Sequence, residues 1–131
     1  MGVKQRLVLV YLTARNAAQA KRIADALVDE QLAACVNILG PITSVYRWQG
    51  RVQRGREMAM LAKTRAALFP RLQKRVCELH DYEVPCVVAV NIADGLPAFL
   101  EWLAQQTAPS RGVARRSGRT GSGSTSAASR P

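Results

Sequence analysis

Apolar positions along the chain switch between two periods. Leu7-Val-Leu-Val-Tyr-Leu12 is a short unbroken apolar run rich in β-formers, the pattern of a strand covered on both faces. Asn16 then offers a helix cap with Gln19 three residues on, the spacing at which two side chains cap reciprocally. Ala20, Ile23, Ala24, Leu27 and Val28 recur at helical intervals, with Lys21, Arg22, Asp25, Asp29 and Glu30 between them; this predicts an amphipathic helix ending near Leu32.

Cys35 to Trp48 reads as a long strand broken at Gly40-Pro41, because proline lacks a ladder donor and glycine tolerates the dihedrals of a bulge. Gln49-Gly50 is the turn. Val52 to Thr64 returns as the partner strand, polar beside the turn and apolar over Met58-Ala-Met-Leu-Ala62. The pair forms a long hairpin with a basic, projecting tip. Leu68, Phe69, Leu72, Val76 and Leu79 mark a second helix, with Pro70 in its first turn, where a missing N–H costs little. Val84 to Ile92 is a further continuous apolar strand, and Asp94-Gly95-Leu96-Pro97 opens a last short helix carrying Phe99, Leu100, Trp102 and Leu103.

The order βαββαβ followed by α is an α+β, ferredoxin-like sandwich with an extra C-terminal helix. Such a sheet has helices on one face and water on the other, so its strands should alternate polar and apolar. The first and last strands do not alternate. Two covers are expected for the second face: the final helix, and other subunits.

Composition adjusts this picture at one end. The chain has 131 residues, with 19 Lys plus Arg against 9 Asp plus Glu, a net +10. From Ala108 onward Arg111, Arg115, Arg116, Arg119 and Arg130 stand among Gly and Ser with no acid. We therefore divide the chain into a folded domain, residues 1–107, and a basic Gly/Ser/Arg-rich tail, 108–131, too poor in apolar bulk to order. The tail supports only non-specific attraction to nucleic acid. An RNA-recognition module shares βαββαβ topology but stacks bases on aromatic side chains of its central strands, and Met58-Ala-Met-Leu-Ala-Lys-Thr64 has no ring.

Cys35, Cys77 and Cys86 are odd in number and form no C-x-x-C pair, which excludes zinc-ribbon, finger and thioredoxin-type sites on spacing. All three read as reduced thiols of a cytoplasmic protein, buried as small apolar side chains. No apolar run is long enough for a membrane span. A P-loop, a G-x-G-x-x-G and a G-x-S-x-G elbow are all missing, so no enzyme class is indicated.

Four segments in order, Leu32-Ala-Ala-Cys-Val-Asn-Ile38, Ser44-Val-Tyr-Arg-Trp-Gln-Gly50, the Glu57…Lys63-Thr64 strand and His80-Asp-Tyr-Glu-Val-Pro85, resemble the CutA family, the divalent-cation tolerance proteins. The resemblance runs from about Arg6 to Gln106. It implies a tight homotrimer built through the long hairpins, like that of the PII signalling proteins. It also implies a link to tolerance of copper and other divalent cations. The family's usual segment is H-P-Y-E-x-P-E; this chain carries Asp81 for the proline and Cys86 for the second glutamate. Where family members have been assigned copper ligands, the matching positions are Leu12, Leu79 and His80, so one candidate ligand of that set survives.

The candidate metal donors are His80, Cys86 and Glu83. A thiolate beside an imidazole would favour softer ions such as Cu(I) or Zn(II). The competing reading makes His80 a helix C-terminal histidine, satisfied by a carbonyl or a carboxylate. Tyr46 and Trp48 share a strand face and are expected to anchor an interface; Glu57 and Lys63 share another and are expected to pair across a subunit boundary. Tyr82, with Lys63 and His80, could instead line a pocket between subunits. The expected activity is metal-ion binding by a homotrimer. The alternative is a non-catalytic PII-like scaffold whose inter-subunit clefts take a small anion or a protein partner.

Overall fold

The computed structural model describes residues 5–109. Five elements come first: β1 (Leu7–Ala14), α1 (Ala17–Asp29), β2 (Cys35–Trp48), β3 (Arg51–Arg65) and a single 3-10 turn (Ala66–Leu68). Then follow α2 (Phe69–Leu79), β4 (Val87–Asn91) and α3 (Pro97–Gln106). The strands form one antiparallel sheet in the order β2-β3-β1-β4. The predicted βαββαβ-α order is observed. The expected tail falls almost wholly outside the described residues.

Side-chain parity divides the sheet. Val8, Val10, Leu12 and Ala14 of β1 lie opposite Thr64, Ala62, Met60 and Met58 of β3, so these residues share one face. Against them pack Ala20, Ile23, Ala24 and Leu27 of α1 and Leu72 and Val76 of α2. Val10 and Leu12 are both 0% exposed. Asn16 caps α1 by accepting the Gln19 N–H at 2.9 Å. The expected return bond is shifted by one residue, because Gln19 Oε1 accepts from the Arg15 N–H at 2.8 Å.

The opposite face carries Leu9, Tyr11 and Thr13 of β1 with their partners Lys63, Leu61 and Ala59 of β3. Part of it lies under α3. Arg65 donates to the Thr107 carbonyl at 3.0 Å, and Lys63 Nζ sits 6.0 Å from the centre of the Phe99 ring. Thr13 and Ala59 are buried as well, but the β4 side is bare: Val88 and Val90 are 51% and 54% exposed. The reading of β1 and β4 as strands covered on both faces is therefore met on one face only within a single chain. The last helix supplies part of the missing cover, as expected.

The hairpin is long because β2 and β3 pair from Cys35↔Lys63 to Trp48↔Arg51. A register shift between Ile38 and Gly40 gives Leu39 no partner, and Gly40 takes φ +127°, so the predicted bulge is present. Gln49 and Gly50 close the hairpin with φ 52° and 78°, the two positive angles of a primed two-residue turn. Two boundaries differ from expectation. Helix α1 ends at Asp29, where Glu30 caps it and Gln31 takes φ 58°. Strand β4 begins at Val87, so Val84-Pro85-Cys86 belongs to the loop; proline, without an N–H, cannot extend the ladder there.

Candidate functional site

The loop from α2 to β4 carries most of the candidate donors, and His80 fixes its start. Its N–H still bonds to the Val76 carbonyl at 2.9 Å, but its backbone is already extended, with ψ 148°. The ring is buried, with Nε2 2.8 Å from the Thr13 carbonyl oxygen and Nδ1 3.1 Å from the Tyr82 backbone nitrogen. A carbonyl can only accept and a peptide N–H can only donate. Nε2 therefore carries the hydrogen, and Nδ1 is the acceptor of a neutral imidazole.

Both ring nitrogens are engaged, so a metal at either would have to displace a hydrogen bond. His80 is the helix-end histidine satisfied by a carbonyl. Its ring packs 4.6 Å from that of Tyr82, centre to centre, and Arg15 reaches Asp81 at 3.5 Å. These contacts tie the loop to the end of β1. Glu83 and Cys86, further along, are exposed.

Cys86 departs from its expected burial in strand core, because it stands just before β4 and is exposed. Cys77 is also exposed, on the outer side of α2, and Cys35 is half-buried. The apolar neighbours of Cys86 in sequence masked this, since the strand they form starts one residue later.

Cys86, Tyr11 and Glu57 interact electrostatically. Desolvation raises the Cys86 thiol pKa above its ordinary value, and the Glu57 charge adds to the rise. Tyr11 is likewise raised, first by desolvation and then by Cys86 and Glu57. Tyr11 was not among the candidates. Its signal was two-residue parity with Thr13 on β1, hidden inside a uniformly apolar run. Among the described residues no group of three His, Cys, Asp or Glu is placed to hold a metal ion. His80, Glu83 and Cys86 do not by themselves form a ligand set within one chain.

The other candidates fall on one surface. Tyr46 and Trp48 lie opposite Gln53 and Arg51, and Ile42 lies opposite Glu57. All six therefore share the face turned away from α1 and α2, as does Lys63. Glu57 is buried and Tyr46 and Trp48 are half-buried. Lys63 donates to Asn37 Oδ1 at 2.6 Å, and its Nζ lies 3.8 Å from Cys35 Sγ.

The model of the CutA1 divalent ion tolerance protein family matches residues 8–106, which is the whole sandwich from β1 to the end of α3. The chain belongs to that family. It is a family of divalent-cation tolerance proteins.

The chain is 48% identical over 99 residues to the divalent-cation tolerance protein CutA of Thermus thermophilus, covering 76% of this chain and 96% of the relative. It is 43% identical to the chloroplastic CutA of Arabidopsis thaliana over 76% of this chain, but spans only 55% of that longer protein. The solved Thermus thermophilus structure superposes with TM-score 0.76 at 46% identity, over 78% of this chain and 99% of the other. That of Oryza sativa CutA1 superposes with TM-score 0.78 at 42% identity, over 81% and 97%.

The ferredoxin-like sandwich with its long hairpin and C-terminal helix is thus the fold of the solved CutA structures. No helix among the described residues is long and apolar enough to cross a membrane. Relatives are named as chloroplastic and, in Archaeoglobus fulgidus, periplasmic, so the expected cytoplasmic location does not follow from membership.

Proposed function

We propose that this protein is a self-associating divalent-cation tolerance protein, a homotrimer that captures copper or another soft divalent or monovalent ion weakly. The carrying observation is the bare part of the sheet. Val88 and Val90 are half exposed beside half-buried Leu9, Tyr11 and Leu61. A strand that is apolar on its uncovered face is stable in water when a second surface covers it. Tyr46, Trp48 and Glu57 lie on the same face, which makes them interface residues under this reading.

Metal capture then falls to Cys86 and Glu83, exposed on the pinned loop, with further donors from a neighbouring copy. The thiol directs the choice toward Cu(I) or Zn(II). His80 supports the loop in place of binding the ion. Unpaired Cys35, Cys77 and Cys86 support a reducing compartment, the cytosol among them. A PII-like scaffold that binds a small anion through Lys63 is less favoured, because that ammonium already donates to Asn37 and lies 6.0 Å from the centre of the Phe99 ring.

Sedimentation equilibrium tests the assembly. The parent should run at three times the chain mass, and Val88→Asp with Val90→Asp should run as a folded monomer. A parent that is a folded monomer would refute the reading. Calorimetric titration of metal-stripped protein with Cu(I), Cu(II) and Zn(II) tests capture: Cys86→Ser should weaken Cu(I) binding at least tenfold, while His80→Gln should leave it unchanged.

A further inference from the structure

The tip of the β2–β3 hairpin has a second face that the proposed assembly does not use. Arg47 lies opposite Val52, Arg54 opposite Val45 and Arg56 opposite Thr43. These six side chains share the face opposite to Tyr46 and Trp48, and all are exposed. No acid occurs between Glu30 and Glu57. Among the described residues Arg54 and Arg56 take part in no ion pair or side-chain hydrogen bond, and Arg47 reaches only the Gly50 carbonyl, at 3.4 Å.

Beside α2 much of the basic charge is compensated. In the cleft of about 290 Å³ between α2 and the segment that follows α1, Arg75 is held by Glu30 at 3.0 Å and by Glu78 at 3.1 Å, and Lys74 reaches Glu78 at 3.5 Å. The hairpin face gathers three exposed arginines with no acidic partner on one side of a two-stranded ribbon.

We propose that this face is a contact surface for the phosphate backbone of duplex DNA, bound without regard to sequence. Its charge complements a phosphate chain, and arginine is the side chain that binds phosphate through paired N–H groups. Same-face neighbours such as Arg54 and Arg56 stand about 6.6 Å apart on one strand, and a two-stranded ribbon fits the major groove, which is about 12 Å wide. The face has no aromatic ring, so it lacks the stacking platform that holds single strands. Val45 and Val52 are its only large apolar side chains, too little area to seat in a bilayer.

The test is fluorescence anisotropy of a labelled 20-base-pair duplex with the full chain, at NaCl from 50 to 200 mM. It uses three variants: Arg47→Gln/Arg54→Gln/Arg56→Gln, a tail variant with Arg111, Arg115, Arg116, Arg119 and Arg130 changed to Gln, and both sets combined. The tail variant should still bind. Adding the hairpin changes should weaken binding at least tenfold at the lowest salt. For one hairpin making three contacts, the salt slope should fall by about 2.7, so the tail variant should lose about 40-fold more affinity across that range than the combined variant.

Equal binding and equal slopes for the tail variant and the combined variant would overturn the proposal. So would tighter binding of the single strand of the same length, or binding only to phosphatidylserine vesicles. A change in sedimenting mass of the hairpin variant would do so too, because it would assign these arginines to the subunit interface.

Discussion

The two faces of this sheet come from the same strands and reach opposite ends. Towards α1 and α2, Val10, Leu12, Met60 and Ala62 are 0% exposed within one chain. On the other side, α3 covers the end near Lys63 and Arg65, while Val88 and Val90 stay half exposed. Yet β1 and β4 are apolar at nearly every position. The closed face makes the subunit fold. The open face has the same chemistry without its cover, which is what supports the proposed assembly.

The largest expected effect separates the faces directly. Leu12→Ala should cost about 2–5 kcal/mol in urea unfolding, the transfer term plus a cavity. Leu9→Ala, on the open face, should chiefly weaken self-association, read as a raised dissociation constant in sedimentation. A Leu9→Ala loss as large as that of Leu12→Ala in dissociated protein would break the distinction.

Next comes the loop tied to the end of β1. His80→Ala leaves the Thr13 carbonyl and the Tyr82 N–H without their partner, and should lower stability by about 1–3 kcal/mol. A null effect in chemical denaturation would mean that the loop is held by other contacts. On the closed side, Asn16→Ala removes the cap of α1 and should cost about 1 kcal/mol, by the same measurement.

The smallest effect concerns Cys86. Its thiol pKa is raised in the folded chain by desolvation and then by Glu57. A raised folded pKa means that the neutral thiol is favoured. The contribution to stability is complete below the unfolded value and is lost as pH climbs through the folded one. Stability should therefore decline at alkaline pH, and less so in Cys86→Ser. Glu57→Gln should move the alkylation profile of Cys86 to lower pH. An unmoved profile would disconnect the two residues.

His80 and Cys86 show why the site was harder to read than the fold. The histidine stood out as the only imidazole in the chain, and its placement after α2 was legible. That both nitrogens are taken up depends on the Thr13 carbonyl, a backbone atom 67 residues away, which no side-chain pattern encodes. Cys86 sat beside Val-Val-Ala-Val and read as core. Pro85 delays the strand, which places the thiol in an exposed loop. Tyr11 was concealed because its neighbours are apolar whether or not their face is covered.

Periodicity, capping residues and turn chemistry are local, and by themselves they determined the element order, the bulge at Gly40 and the positive-φ turn at Gln49-Gly50. Four short motifs in register determined the family. Tertiary structure alone decided which apolar face is covered, because parity separates residues by face without saying what lies opposite. It also decided which polar atoms are already satisfied. It put Arg47, Arg54 and Arg56 together on one side of a ribbon, where their charges meet no acid.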